Sequence, residues 1–489
     1  MSAFAVPLIL LSSLAQTPAP RDLVARAVTA MGGETALRGF RASSVSFYQT
    51  SFGIGQEETP GSPARPTLTI GQQLTDFAGN RAVATFENRN PAGAVNKLRR
   101  VTAGGIGMLE TNGVAAPDGA GAIANVERFM RRTPERLLIA ALDNPAALRP
   151  LRPQAWRNET LDGVRYAAAL DTLDLYFDRR NGLLVLTETL TDDPILGDRR
   201  TRTAYTRWQE VGGVLFARQI DVEVNGRLQT NTILTAVSTD PTTSDTAFAI
   251  PDSIAARAPR SSATPPSITV NLVELAPNVW RAEGGSHHSL IVDQGARLVL
   301  VEAPLNAMRM EAVLDTLRSR FPGKRVGIVI NTHHHWDHAG GLRAVLAAGL
   351  PVVTHARNAS FVRSIAAAPK TVRPDILSRR LGAARPPRPV ITAVEDSLIV
   401  GTGDAPVVAY RLPTAHAEGV LAIYLPSARI LFQSDVVSAN PNPPPGGSAE
   451  LVRFVRARGI AVDRVAGGHG QVVPWADVER AATPPASAP

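Results

Sequence analysis

The sequence predicts a two-domain α+β protein: a mainly antiparallel β-sheet domain over residues 20–252, followed by a layered αβ domain over residues 269–480. In the first half, segments in which apolar and polar residues alternate are separated by turn residues, as in half-buried strands. In the second half, short apolar strands alternate with helical segments, which is typical of layered αβ domains. A chain of 489 residues is also long for one core, so two domains are expected.

The chain is expected to begin with a signal peptide at residues 1–15. An apolar run from Ala3 to Leu14 ends in small residues that resemble a cleavage site, although no Lys or Arg precedes it. We therefore expect a periplasmic or secreted protein. The absence of cysteine fits any compartment and does not decide this point.

The charge balance argues against a nucleic-acid partner. The net charge is +8, but the positive charges are nearly all arginines scattered along the chain, and the longest cluster is residues 97–100. No internal stretch approaches the roughly 18–20 apolar residues of a membrane span, so no transmembrane segment is expected. The expected partner is a small-molecule substrate. The oligomeric state is not indicated by the sequence.

The first domain is predicted to open with a helix over residues 22–40, broken at Gly32-Gly33. Two Asn-Gly pairs, at 181–182 and 225–226, lie between alternating segments and predict tight β-hairpins. Helices are expected at 123–130 and after Pro134, where the strand pattern is interrupted. The domain is therefore predicted to be mostly antiparallel sheet with a few helices.

Residues 253–268 form a polar segment rich in Pro and Ser, which is typical of a linker. Residues 481–489 are expected to form a disordered tail. Between them, the second domain begins with short strands, a helix over 308–321 and a buried strand over 326–330. A further helix is expected over 342–348, and the chain then continues mainly in strands.

Histidines occur only in the second half of the chain, where all nine lie from His287 onwards. Four ligand-type residues form an H-x-H-x-D-H run immediately after the predicted strand 326–330. Three isolated ones each follow an apolar strand further on. The seven candidate metal ligands are His333, His335, Asp337, His338, His416, Asp435 and His469.

Imidazole and carboxylate groups are the preferred zinc ligands in a chain without cysteine. If the run is extended, residues 333, 335 and 337 project the same way and His338 projects oppositely, so that one loop feeds two metals about 3.5–4 Å apart. Any single histidine could instead be a hydrogen-bonded structural residue. Seven such residues in this order favour a metal site.

With these motifs, residues 268–475 resemble a metallo-β-lactamase superfamily hydrolase. The resemblance implies a four-layer αββα sandwich, two Zn²⁺ ions per chain and a metal-bridged hydroxide as nucleophile, with Asp337 as the catalytic residue that orients it. It also implies one metal held by His333, His335 and His416, a second held by Asp337, His338 and His469, and Asp435 between them.

Several positions depart from particular members of the superfamily. Asp435 stands where class B1 and B2 β-lactamases carry cysteine, and Ser438 stands where class B1 enzymes carry a lysine. His335 replaces the glutamate of flavodiiron proteins, which argues against redox chemistry. Glu302 occupies a strand end usually held by aspartate, so its role is left open. β-Lactam hydrolysis is therefore an alternative and not the first hypothesis.

Residues 20–252 resemble the half-barrel fold of periplasmic lipoprotein carriers, from the helix ending at Met31-Gly32-Gly33 to the segment Phe248–Pro251. That resemblance implies an apolar ligand in the N-terminal domain. The alternative is an accessory sheet that packs on the catalytic domain.

Two further residues are candidates for binding substrate. His288 precedes a strand near the expected mouth of the site, and Asn440 lies in a proline-rich segment after Asp435. Each could equally be structural.

The sequence thus favours a zinc-dependent hydrolase that cleaves an ester, lactone, amide, phosphoester or sulfoester of a small molecule. The alternatives are a carrier of an apolar ligand with a structural metal module, and a β-lactamase.

Overall fold

The computed structural model of the protein describes residues 18–91, 93–169, 172–261, 268–382, 388–401, 405–437 and 443–483. The expected signal peptide, the end of the expected disordered tail, most of the Pro- and Ser-rich part of the linker, and residues Ser438 and Asn440 lie outside these ranges.

The N-terminal domain is built on a single antiparallel sheet of 13 strands, which confirms the predicted sheet class. Strands β1–β6 form one meander and β7–β13 form another. The two are joined where β1 pairs with β13, Ser44 lying opposite Ser238. The strands are β1 Ala42–Phe52, β2 Pro66–Asp76, β3 Arg81–Arg89, β4 Val95–Ala103, β5 Ile106–Thr111, β6 Val114–Pro117, β7 Leu148–Trp156, β8 Glu159–Ala167, β9 Thr172–Asp178, β10 Leu184–Asp193, β11 Gly197–Val211, β12 Val214–Val224 and β13 Arg227–Ser238.

Tight turns set the register of this sheet, as the hairpin between β12 and β13 illustrates. Asn225 and Gly226 both have positive φ, at 47° and 82°. Asparagine and glycine tolerate this conformation, which gives a turn with the twist that antiparallel strands need. The Asn-Gly pair therefore forms the predicted hairpin.

Helices pack on the same sheet and bury their apolar faces. Leu23, Val24, Ala27 and Val28 of the first helix lie in one core with residues of α4, β8, β9 and β10. The first helix ends before Gly32-Gly33, as the sequence predicts. The helices of this half are α1 Pro20–Ala30, α2 Glu34–Gly39, α3 Ala120–Arg132, α4 Pro134–Asp143 and α5 Asp252–Ala255.

Helix α5 overlaps the start of the segment 253–268 that was predicted to be a linker. Its Ile254 is buried in a small core with Val101, Met108 and Phe248, so residues 252–255 belong to the sheet domain. The sequence predicted a linker here because the segment is rich in proline and serine. One buried isoleucine is enough to dock a single helical turn.

The C-terminal domain contains two mixed sheets. The first has the order β14 to β20 and the second β21 to β26, with parallel pairs at β17–β18, β18–β19, β19–β20 and β24–β25. The strands are β14 Asn271–Ala276, β15 Val279–Glu283, β16 Ser289–Asp293, β17 Leu298–Val301, β18 Val326–Ile330, β19 Val352–His355, β20 Ile391–Val394, β21 Ser397–Val400, β22 Val407–Leu412, β23 Val420–Leu425, β24 Ile430–Gln433, β25 Arg464–Gly467 and β26 Val473–Pro474.

The layers of this domain follow from its three hydrophobic cores. Side chains of both sheets, among them Val301 and Phe432, share one core, so the sheets pack face to face. A second core lies between the first sheet and α6, α8, α9 and α10, and a third lies between the second sheet and α11 and α12. The result is the predicted four-layer αββα sandwich. The helices are α6 Ala307–Arg320, α7 Trp336–Ala339, α8 Leu342–Ala347, α9 Ala359–Ala367, α10 Ile376–Leu381, α11 Pro445–Arg458 and α12 Trp475–Ala482.

The two domains are joined by direct hydrogen bonds as well as by the chain. At the start of β11, the backbone N–H of Asp198 donates to the carbonyl of Pro369 at 2.7 Å, and its carboxylate accepts from the backbone N–H of Thr371 at 2.7 Å. Lys370 forms an ion pair with Asp192 in β10. The sheet domain therefore lies against the C-terminal domain.

Among the described residues, the helices are all too short or too polar to span a membrane.

A buried ion pair anchors the segment that follows α8. Arg343 is fully buried and donates to Asp375 at 2.5 and 3.1 Å and to the carbonyl of Ile365 at 2.7 Å. Although burial raises the pKa of Asp375, its hydrogen bonds with Arg343 and Ser378 lower that pKa to about 2. Asp375 therefore stays ionised, and the pair holds α8, α9 and α10 together.

Arg343→Met is expected to lower the free energy of unfolding of the C-terminal domain by about 3 kcal/mol, because it leaves the largely buried carboxylate of Asp375 without its cationic partner. The contribution of Asp375 is present above its unfolded pKa of about 4 and is lost as the pH falls through about 2. The difference from wild type in thermal denaturation should therefore shrink over that pH range. Arg318→Met, at an exposed position, should leave the melting temperature unchanged. Equal melting temperatures for Arg318→Met and Arg343→Met would show that the Arg343–Asp375 pair does not stabilise the domain.

Candidate metal centre

The candidate ligands meet at one edge of the αββα sandwich because each follows a strand that ends there. The run 333–338 follows β18, His416 lies between β22 and β23, Asp435 follows β24, and His469 follows β25. Strands β24 and β25 are parallel, so their carboxyl ends lie side by side. Loops at the ends of parallel strands are the usual location of functional side chains in such folds.

The first cluster consists of His333, His335, His416 and Asp435. The Nε2 atom of His416 lies 3.2 Å from Nε2 of His333 and 2.9 Å from Nδ1 of His335. The Oδ2 atom of Asp435 lies 2.9 Å from His416 Nε2 and 3.2 Å from His333 Nε2. Three imidazole nitrogens and one carboxylate oxygen thus face a common point.

The second cluster consists of His287, Asp337, His338 and His469. The Nε2 atoms of His338 and His469 are 3.2 Å apart, and Oδ2 of Asp337 lies 3.2 Å from Nε2 of His287. His287 also packs its ring on that of His469, with centroids 3.8 Å apart. This cluster is equally rich in metal-ligating atoms.

Asp435 joins the two clusters. While its Oδ2 faces His333 and His416, its Oδ1 lies 3.0 Å from His338 Nε2 and 2.9 Å from His469 Nε2. Oδ1 is buried and makes no hydrogen bond of normal geometry despite these short distances. The carboxylate is therefore placed as a bridging ligand would be.

The spacing of these atoms fits metal ions better than a hydrogen-bond network. Ligands about 2.0–2.1 Å from a tetrahedral zinc lie roughly 3.3–3.4 Å apart, which is close to the separations found within each cluster. Facing imidazole nitrogens cannot all donate to one another, since a neutral ring carries one N–H. Two cations would satisfy them all.

The rings of His333 and His335 are held by the nitrogen that faces away from the site. The Nε2–H of His335 donates to the carbonyl of Glu57 at 2.9 Å, which leaves Nδ1 free to face the site. The Nδ1 atom of His333 contacts the hydroxyls of Thr332 and Ser434 at 3.1 and 3.2 Å. Such partners fix the tautomer and the orientation of metal-binding histidines.

Glu302, whose role the sequence left open, holds His338 and the loop that carries it. Its carboxylate accepts from Nδ1–H of His338 at 2.9 Å and from the backbone N–H of Thr332 at 3.1 Å. The residue is fully buried and has a φ of 74°, a strained conformation for a side chain of this size. The surrounding bonds maintain that strain at a strand end beside the site.

The local field favours neutral imidazoles and ionised carboxylates. Burial lowers the pKa of His333 well below its usual value and that of His335 to about 3. Burial raises the pKa of Asp435, but the neighbouring imidazoles of His333 and His338 outweigh this and hold it far below its usual range. These are the protonation states in which the groups bind metal.

The pKa of His338 is raised, unlike those of His333 and His335, but this difference also favours a bound cation. Burial lowers its pKa, but the carboxylates of Glu302 and Asp435 on either side raise it well above the usual value. A positive charge is therefore favoured at this position. A metal ion at Nε2 would supply that charge in place of a proton.

The run 333–338 is not extended throughout, contrary to the sequence-based expectation. Helix α7 begins at Trp336, so Asp337 lies beside His338 in the second cluster instead of projecting with His333 and His335. The turn is packed tightly, because a Cβ on Gly340 would lie 2.0 Å from the carbonyl oxygen of Leu305. The glycine that ends this helix makes the close approach possible.

One of the two expected substrate residues, His288, lies outside both clusters. His287, and not His288, brings its ring into the second cluster; the imidazole of His288 is buried, with Nδ1 unpartnered among the described residues. Burial lowers the pKa of His288 to about 4. Asn440 is outside the described residues. His334 belongs to neither cluster and packs against Phe361.

Sequence reasoning missed His287 and Gln56. The side-chain amide of Gln56, in the N-terminal domain, donates to Oδ1 of Asp337 at 2.7 Å. His287 adjoins His288 in the sequence, and alternation along an unassigned loop does not say which of the two faces inward. Gln56 carried no signal, because its partner lies 281 residues away.

The family model of the metallo-beta-lactamase superfamily matches residues 282–477. The C-terminal region is therefore a metallo-β-lactamase superfamily domain, and it carries two His/Asp clusters consistent with a dinuclear site.

Solved structures similar to this chain include a metallo-beta-lactamase from Pontibacter korlensis (19% identity, 43% of this chain and 96% of that one, TM-score 0.34). Another is the DIM-1 metallo-beta-lactamase (15% identity, 43% of this chain and 94% of that one, TM-score 0.34). No curated protein matches the chain.

Glu302→Gln is expected to weaken binding of the second metal by about 10–100-fold, because His338 loses its charged partner. The amide still offers an oxygen to Thr332, so folding should be retained. Zinc titration against a competing chromophoric chelator measures this. Glu274→Gln, at an exposed position of β14, is the matched control. Unchanged affinity for both metals would show that Glu302 does not position the ligand.

Proposed function

We propose that the protein is a dinuclear zinc hydrolase that cleaves an ester, lactone, amide, phosphoester or sulfoester bond of a small molecule. One observation carries the proposal: Asp435 joins two four-residue clusters whose donor atoms lie about as far apart as ligands on a metal ion. The superfamily domain supports the same conclusion.

The donor set favours zinc as the metal. The first site would be held by His333, His335 and His416, and the second by Asp337, His338 and His469, with Asp435 between them. His287 adds a further nitrogen at the second site. Imidazole and carboxylate ligands suit zinc, while magnesium and calcium prefer sites made of oxygen alone.

When bound, two zinc ions lower the pKa of water towards neutrality and polarise the oxygen of the scissile group. The chain's own contribution is to place the reacting groups. Although burial raises the pKa of Asp337, its bond to His287 and its closeness to His338 lower it, so that the carboxylate is ionised. Ionised Asp337 can accept a hydrogen bond from the attacking water and orient it.

Both clusters have members that solvent can reach. His416 of the first cluster and Asp337 and His469 of the second are half-buried, whereas His333, His335 and His338 are buried. A substrate entering from solvent would therefore meet His416, Asp337 and His469 first.

Asp435→Ala is expected to reduce bound zinc from two ions per chain to one and to lower turnover at least about 100-fold, because the clusters lose their shared ligand. Asp337→Ala should be at least as damaging. Zinc content by elemental analysis and hydrolysis of a panel of esters, lactones, β-lactams, phosphodiesters and sulfate esters measure both effects. A chelator should abolish any turnover found, and added Zn²⁺ should restore it.

The control is His334→Ala, which alters the residue between two ligands and should keep two zinc ions. Wild-type protein with well under one zinc per chain, unchanged by added Zn²⁺, would reject the proposal. Loss of zinc from His334→Ala combined with two ions in Asp435→Ala would reverse the ligand assignment.

A second candidate function, binding of an apolar ligand, is favoured by a cavity in the N-terminal domain. The cavity has a volume of about 620 Å³ and lies between α3, α4 and one face of the sheet. It is lined largely by apolar side chains, including Phe40, Phe47, Phe77, Phe129 and Phe216. An adjoining cavity of about 560 Å³ shares Phe47 and Gln49 with it. This volume suits a drug-sized or acyl-chain ligand.

Phe47→Asp should weaken binding of a fluorescent apolar probe such as N-phenyl-1-naphthylamine by at least about tenfold, because it places a charge in the cavity. Tyr48→Asp is the matched control, since Tyr48 is the next residue of β1, is exposed and lines neither cavity. Equal probe binding by both variants and wild type would rule the cavity out as a binding site. Zinc removal should not affect probe binding.

A further inference from the structure

A loop of the N-terminal domain reaches the candidate metal centre. It connects β1, which ends at Phe52, to β2, which begins at Pro66, and we call residues 53–65 the β1–β2 loop. A link between antiparallel neighbours needs only two residues, so a loop of this length is not required by the hairpin. The extra residues lie against the C-terminal domain.

Three consecutive residues of this loop meet three consecutive residues of the ligand run. The carbonyl of Gly55 accepts from the backbone N–H of Trp336 at 3.2 Å. The next two loop residues contact the residues on either side of Trp336. The side chain of Gln56 donates to Asp337 Oδ1 at 2.7 Å, and the carbonyl of Glu57 accepts from His335 Nε2–H at 2.9 Å. The loop therefore contacts one ligand of each cluster.

The same loop also holds the chain on either side of His416. The carbonyl of Glu58 accepts from the backbone N–H of Glu418 at 2.8 Å, and Arg65 donates to the carbonyl of Ala415 at 3.0 Å. The contacts thus extend across the two ligand-bearing segments that close the site.

The loop is fixed to its own domain by an ion pair between a buried carboxylate and an exposed arginine. The carboxylate of Glu57 is almost fully buried; it lies 2.7 Å from the guanidinium of Arg227 at the start of β13 and accepts from the backbone N–H of Gly55 at 2.8 Å. Arg227 donates in addition to the carbonyl of Ser62 at 3.3 Å. A loop held in this way can position a partner, because its own conformation is set by the sheet.

The geometry points to Gln56 as a positioning residue for Asp337, by which the N-terminal domain sets the second metal site. The amide occupies Oδ1 of Asp337 and leaves Oδ2 directed at the second cluster, towards His287 and His469. This inference rests on the proposed dinuclear site.

The chemistry of glutamine suits this position. A neutral amide donates a hydrogen bond without neutralising the carboxylate, so Asp337 keeps its charge for a cation. A lysine or arginine here would form an ion pair with Asp337 and compete with the metal. The hydrogen bond also fixes the rotation of the carboxylate, which a metal site with defined geometry requires.

The test is zinc binding by the full-length chain, measured by competition with a chromophoric chelator. Gln56→Leu keeps the volume and removes the donor, and Gln56→Ala provides a second variant should the first fold poorly. Both should bind the second zinc 10–100-fold more weakly, with the first changed less than about threefold. The visible spectrum of the Co²⁺-loaded protein should change at the second equivalent only.

Two other variants separate this role from general docking of the domains. Arg65→Met removes a contact between the same loop and Ala415 without touching Asp337, and should leave the second-metal affinity within about threefold. Gln209→Leu is a chemically matched change at an exposed position of β11. In any hydrolysis assay, Gln56→Leu at saturating zinc should lower kcat more than it raises KM.

The outcomes distinguish the inference from the function on which it rests. A loss of zinc affinity confined to the second site in the Gln56 variants supports the inference. Unchanged second-site affinity in Gln56→Leu, or an equal loss in Arg65→Met, overturns it while the dinuclear site stands. Wild-type protein that binds fewer than two zinc ions overturns both.

Discussion

Six imidazoles and two carboxylates converge at one edge of the αββα sandwich, and the C-terminal domain is arranged to keep them together. Groups of this kind at separations near 3 Å are costly to bury without a cation, because they lose solvation and cannot all be hydrogen-bonded to one another. The domain places them at strand ends, where the backbone is already fixed by the sheets. The position of Asp435 between the two clusters is the feature on which both depend.

The candidate ligands are oriented by buried residues behind them, of which Glu302 is an example. Glu302 keeps a strained backbone and a fully buried charge in order to bond His338 and Thr332. A longer side chain than aspartate here reaches both partners from the end of β17. Strain and buried charge at one residue are costs that a purely structural position would not need to carry.

The N-terminal domain is part of this arrangement and not a separate attachment. Its sheet carries the Glu57–Arg227 ion pair, which fixes a loop that bonds to His335 and Asp337. A second contact holds the start of β11 against residues 369–371. The apolar cavity therefore lies on the same sheet whose β1–β2 loop contacts the candidate metal centre.

Much of the fold could be predicted from the sequence because its signals are local. Asn225-Gly226 specifies a hairpin turn by backbone conformation alone, and Gly32-Gly33 ends the first helix. The spacing of the H-x-H-x-D-H run, with the isolated ligands after apolar strands, was enough to propose all seven candidates. The structure brings those seven side chains together.

What the sequence could not determine depends on contacts between distant parts of the chain. The one-turn helix at Trp336 turns Asp337 away from the direction of His333 and His335, and packing just before β16 places His287, and not His288, in the second cluster. Gln56 meets Asp337 across 281 residues. Local periodicity holds no information about such pairs, because tertiary packing alone decides which surfaces meet and which of two neighbouring side chains faces inward.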